Sequence, residues 1–144
     1  MLAFFRRFWC LIAVALNLIS AQTPARMNDK DLERRMKNVH EDAKRFSESF
    51  KKAVGKSSIR KTSRQKDAER LADRFVSQTE GMAKKFADKK KADETLPVVY
   101  QSVAELDKLV KELSLQGTAL SDWNKVTAEL DQVSQQFSYT PPVR

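Results

Sequence analysis

Apolar residues in this chain recur at steps of three and four over four long stretches, and that spacing decides what the chain can fold into. Such steps hold side chains on one stripe of an α-helix, whereas a half-buried strand needs strict alternation. The first stretch, Asn28 to Val54, carries Leu32, Met36, Val39, Ala43, Phe46, Phe50 and Ala53. The second, about Ser63 to Ala87, carries Ala68, Leu71, Phe75, Met82 and Phe86, with Gln78 and Thr79 as a polar break midway. The third begins near Thr95 and carries Leu96, Val99, Val103, Leu106, Val110 and Leu113. The fourth, capped by Thr118 or Ser121, carries Leu120, Trp123, Val126, Leu130, Val133 and Phe137 before Pro141 and Pro142 stop it.

Signals at the helix ends agree with the stripes. Asn28 suits an N-cap, acids fill the first turn at Asp29, Asp31 and Glu33, and Lys51 and Lys52 fill the last before Gly55. That order complements the helix dipole. Thr95 can cap the third helix, and Pro97 suits its first turn. Gly81 lowers helix propensity within the second by about 1 kcal/mol relative to alanine. Each helix alone would be marginal in water, so the stripes must share a core. Short links favour antiparallel neighbours. The expected fold is all-α, an antiparallel up-down-up-down four-helix bundle over residues 22–140 with a tail at 141–144. The rival is a pair of long hairpins that dimerises to complete the core, so monomer and homodimer both stand. The links at 55–62 and 88–94 are polar and read as mobile. Trp123 reads as a packing anchor, His40 as a boundary residue, and Tyr139 as a clamp for the tail.

Residues 1–21 read as a cleaved signal peptide: Arg6 and Arg7 in front, an apolar run from Phe8 to Ile19, then Ser20-Ala21. The run is shorter than the ~20 residues that cross a bilayer, and Asn17 interrupts it, which disfavours an uncleaved anchor. The lone cysteine, Cys10, leaves with the signal. A periplasmic or secreted protein without a transmembrane span is expected.

Charge divides the remainder. Residues 22–92 carry 21 Lys and Arg against 11 Asp and Glu, whereas residues 93–144 carry 4 against 8. One reading is internal, with Glu105, Glu112 and Glu129 facing basic residues of the first hairpin. Exposed pairs of that kind contribute about 0–1 kcal/mol each. The other reading turns the surplus toward a polyanion. Lys51, Lys52, Lys56, Arg60, Lys61, Arg64 and Lys66 gather around the first turn, and Lys84, Lys85, Lys89, Lys90 and Lys91 at the far end of the second helix. In a bundle these clusters make two basic tips at opposite ends. The partners expected are an anionic lipid, a glycan or an acidic protein. Nucleic acid is disfavoured, because every phenylalanine after the signal is committed to a core stripe and none is left to stack on bases.

No site chemistry accompanies the charge. Haem c attachment needs paired cysteines. Met36 and His40 lie one turn apart on one helix and cannot ligate opposite haem faces. Lys37 stands where a di-iron bundle would need the glutamate of Glu-x-x-His. Neither a nucleophile elbow nor a glycine-rich phosphate loop is present. No enzyme activity, metal or cofactor is expected.

Val99 and Val103 with Leu106, then Asp122-Trp123, Val126, Glu129-Leu130 and Phe137 with Tyr139, give residues 32–139 a likeness to a known group. The segment resembles exported bacterial helical proteins that have a basic first hairpin and a last helix opening on Asp-Trp. That resemblance implies a periplasmic or secreted four-helix domain. The group has no established activity, so no functional residue transfers. Exported helical stress chaperones are set aside because their Leu-Thr-x-x-Gln signature is missing. The function expected is non-enzymatic binding of an anionic envelope component or acidic partner through basic helix ends. The alternative is a structural or chaperone-like protein that self-assembles or holds client chains.

Overall fold

A computed structural model describes residues 25–144; the expected signal peptide lies outside the described residues. Helices form where the stripes run: α1 Asp29–Val54, α2 Ser63–Lys89, α3 Thr95–Glu112 and α4 Gly117–Gln136. Asn28 caps α1, its side-chain oxygen accepting the Asp31 N–H at 2.9 Å. Thr62 caps α2 through the Gln65 N–H at 3.3 Å. Each helix buries one stripe, and the four stripes close a single core within one chain. The architecture is an antiparallel four-helix bundle. α1 lies against both α2 and α4, and α2 lies against α3, while the backbones of α3 and α4 approach at few points.

The core is layered along the bundle axis. Phe46, Phe50 and Phe75 occupy one layer with Trp123, the ring centroids of Phe46 and Trp123 being 4.7 Å apart and those of Phe75 and Trp123 6.0 Å. Toward the other end, Phe86 meets the half-buried Phe137 edge-on at 5.8 Å. The α1 stripe ends on the fully buried Val54 rather than Ala53, one four-residue step beyond Phe50. The polar break in α2 is itself a core position. Thr79 is fully buried, its hydroxyl donates to the Val76 carbonyl at 2.8 Å, and it lies 3.3 Å from Nδ1 of the half-buried His40.

The links each send one apolar side chain into the core. Ile59 anchors the first, Ala92 the second, and backbone hydrogen bonds such as Thr62 N–H to the Ile59 carbonyl (3.1 Å) tighten the turns. Two expectations about the helix ends, the caps of α4 and α3, are corrected. Neither Thr118 nor Ser121 caps α4. The helix starts earlier, at Gly117, with Gln116 in the cap position and no side chain capping it. The cause lies upstream. Ser114 adopts a left-handed φ of 48°, the Leu115 N–H reaches back to the Val110 carbonyl at 3.0 Å, and buried Leu115 pins the chain so that it turns at Gly117 (φ 63°). Thr95 does not cap α3 but is its first residue, and its hydroxyl donates to the Ala92 carbonyl at 3.0 Å.

The same left-handed ending recurs after α4. Ser138 has φ 51°, and the Tyr139 N–H bonds the Ser134 carbonyl at 3.1 Å. Tyr139 then stacks on Tyr100, centroids 5.3 Å apart, as the clamp expected of it, and Arg144 pairs with Asp131 to fasten the tail.

Ser114 and Ser138 are exposed and hold a conformation that costs an L-residue about 1–2 kcal/mol. Replacing either with glycine is expected to raise unfolding stability by about 0.5–1 kcal/mol, the larger unfolded-state entropy of glycine offsetting part of the gain. Thermal melts of Ser114→Gly and Ser138→Gly check this.

Candidate anion-binding surface

The first basic cluster forms where α1 ends, the chain turns and α2 begins. Residues 51–66 carry seven Lys and Arg and no Asp or Glu. Lys52, Lys56, Arg60, Lys61, Arg64 and Lys66 are exposed, and Lys51 is half-buried. Two of the seven find carboxylates, Lys51 at Asp73 (2.5 Å) and Arg64 at Glu112. The other five make no ion pair among the described residues. The end of α3 and the start of α4 lie at this same end of the bundle and bring Lys108 and Lys111, which pair with Glu112 at 3.8 Å and Asp107 at 2.7 Å. This end, the near tip, is strongly positive over residues 51–66. Its frame is held: Ile59 is buried beneath the turn, and the Lys61 N–H donates to Gln65 Oε1 at 2.7 Å.

The second cluster is placed at the opposite end, as its position in α2 requires, but its surroundings differ. Lys84 pairs with Glu80 at 2.5 Å, Lys85 with Glu94, and Lys90 with Glu33 at 3.3 Å while its ammonium lies 5.4 Å from the Phe86 ring centroid. Asp88 and Asp93 stand beside Lys89 and Lys91 in the chain. The carboxylates register this company. The hydrogen bond from Lys85 holds Glu94 below the usual carboxylate range, that from Lys84 does the same for Glu80, and those from Lys37 and then Lys90 do so for Glu33. The far tip is locally balanced.

The acids proposed to answer the basic hairpin do so in part. Glu129 pairs with Arg35 at 2.7 Å and Glu112 receives Arg64, whereas Glu105 has no ion pair among the described residues. Two grooves run along the bundle flanks. One, about 610 Å³, lies between α2 and α3, with Arg70, Arg74 and Lys108 facing Asp67, Glu105 and Glu112 over a floor of Leu71 and Leu109. The other, about 620 Å³, lies between α1 and α4 beside the near tip, with Arg45, Lys52 and Lys56 facing Glu48 and Asp122. Both carry mixed charge. The part of the surface that spacing alone missed is the share of α3 and α4: Lys108, Lys111, Gln116 and Thr118 reach the near tip only because the antiparallel fold brings them there.

Among the described residues, no group of three or more His, Cys, Asp and Glu converges as a metal site would. Arg35 Nε and Gln78 Oε1 are buried without a hydrogen-bond partner, on different helices. No described helix is long and apolar enough to cross a membrane. No family model, curated protein or solved structure matches the chain.

Replacing Lys85 by Met is expected to return the Glu94 carboxyl toward its ordinary value of 4.5, read by NMR titration of the side-chain carboxyl. Because folding lowers this pKa, its stabilising contribution is complete above the unfolded value and is lost as pH falls through the folded one. The variant should therefore lose that part of the acid-side slope in stability.

Proposed function

We propose that this chain is an exported, non-enzymatic helical bundle that binds an anionic component of the cell envelope or an acidic partner through its exposed basic surface. One observation carries the reading: seven cations and no acid in residues 51–66, five of those cations without an ion pair among the described residues. A stability role alone would favour countercharges here, as at the far tip. Uncompensated like charges disfavour the compact state, and they draw in anions. The leader-like residues 1–21 and the likeness of residues 32–139 to exported helical proteins support the compartment. The client-holding alternative needs apolar surface. Among the described residues, the exposed large hydrophobics are Val98 and Val143, which supports the anion-binding reading instead.

Calorimetric titration with a soluble polyanion, heparin, tests the proposal. Binding at 50 mM salt that weakens by about tenfold or more at 200 mM is expected, since exposed charges are screened beyond about 10 Å at 0.1 M. Lys52→Glu with Lys61→Glu and Lys66→Glu should abolish it. Undetectable binding at low salt to heparin, polyglutamate and anionic vesicles alike would overturn the reading.

A further inference from the structure

Resting on that reading, we infer that the partner is an anionic lipid surface, that only the near tip meets it, and that the bundle stands on it end-on. The cations at this end form a two-dimensional array rather than a row. They come from the last turn of α1, the link, the start of α2 and the last turn of α3. With helices ~10–12 Å in diameter, the end of a four-helix bundle is about 20–25 Å across. A flat sheet of headgroups meets such an array all at once.

A linear polymer would have to follow an unbroken line of positive charge, whereas along the sides the cations, such as Arg45, Arg70 and Arg74, are interspersed with acids. The two flank grooves that could guide one present Asp67, Glu105 and Glu112 on one side of the bundle and Glu48 and Asp122 on the other. The positive surface is free of acids only at the end itself, over residues 51–66. At the other end, Lys84, Lys85 and Lys90 are each matched by a carboxylate. Lys89 and Lys91, without an ion pair among the described residues, stand near Asp88 and Asp93 in the chain, so that end is the weaker competitor for the same surface.

Adsorption here would be electrostatic, without insertion. The one large apolar side chain in the 55–62 link, Ile59, is buried in the core. The exposed Val98 and Val143 belong to α3's first turn and the tail after α4, which the antiparallel fold puts at the far end. The upright pose therefore points the tail, fastened by Arg144 to Asp131, away from the lipid. Basic residues near an anionic leaflet act additively and within a Debye length.

Cosedimentation of the purified protein with phosphatidylglycerol/phosphatidylcholine vesicles tests this against phosphatidylcholine vesicles and immobilised heparin. Expected are binding to the anionic vesicles at 50 mM salt, none to the neutral ones, and release at 500 mM. The near-tip variant Lys56→Glu/Arg60→Glu/Lys61→Glu should reduce vesicle binding by at least about tenfold, and the far-tip variant Lys84→Glu/Lys89→Glu/Lys91→Glu by less than about twofold. Circular dichroism establishes that both are folded. If the charge reversals unfold the chain, glutamine at the same three near-tip positions gives the same comparison. Equal losses in the two variants would overturn the one-ended pose. Heparin binding without vesicle binding would overturn the lipid assignment and leave the anion-binding proposal standing. Absence of both would overturn the two together.

Discussion

The bundle depends on how the gap between α3 and α4 is closed. Their backbones approach at few points, so side chains must span the distance, and Trp123 is one that does. Its ring packs on Phe46 of α1 and Phe75 of α2, and its indole N–H donates to Asp107 of α3 at 3.1 Å. All four helices thus converge on one residue. A buried indole N–H left without an acceptor would cost about 1–3 kcal/mol, which makes Asp107 part of the core's design although it is a carboxylate. Burial pushes the Asp107 carboxyl up, but hydrogen bonds from Lys111 and Trp123 outweigh that and hold it below the usual range. Next door, Asp122 accepts the Ser49 hydroxyl at 2.7 Å and ties α4 to α1. The Asp-Trp pair is thereby an architectural device, which explains its presence without any ligand. Tyr100 closes the other end of the seam, donating to Asp131 at 2.8 Å beneath Tyr139.

Once α3 and α4 are seated this way, the two hairpins lie side by side, and ion pairs form both between and within them. Between them, Lys125 meets the buried Asp42 at 2.8 Å, Arg35 meets Glu129 and Lys85 meets Glu94; within the first, Lys84 meets Glu80 and Lys90 meets Glu33. The tips differ, with unpaired cations among the described residues most concentrated at the near one. The functional proposal rests on that difference: five of the seven cations in residues 51–66 have no ion pair among the described residues.

Much of this was legible before the structure. The steps of three and four marked most core positions, from Leu32 to Val133, because burial on one helix face imposes a period that composition cannot hide. They passed over Val54, Ala72, Ala83, Tyr100 and Ala119 on the helices and Ile59, Ala92 and Leu115 in the links. Trp123 and His40 stood where their neighbours in the stripes placed them. The helix ends were harder. Glycine is the usual signal for a left-handed ending, yet here Lys90, Ser114 and Ser138 take that conformation, so nothing in the residue types announced it. The difference between the two tips was invisible for another reason. The acid answering Lys90 is Glu33, 57 residues away, and the carboxylate answering Arg64 is 48 residues away; only the fold brings them together.

The seam at Trp123 is tested most directly by a double-mutant cycle in denaturant unfolding, followed by circular dichroism, with Trp123→Phe, Asp107→Ala and the pair. Trp123→Phe keeps an aromatic ring in the core and removes the indole N–H. A coupling of about 1.5–3 kcal/mol is expected for a hydrogen bond to a charged acceptor. Additivity within about 0.5 kcal/mol would contradict the central role given to that contact and would place the closure of α3 on α4 elsewhere.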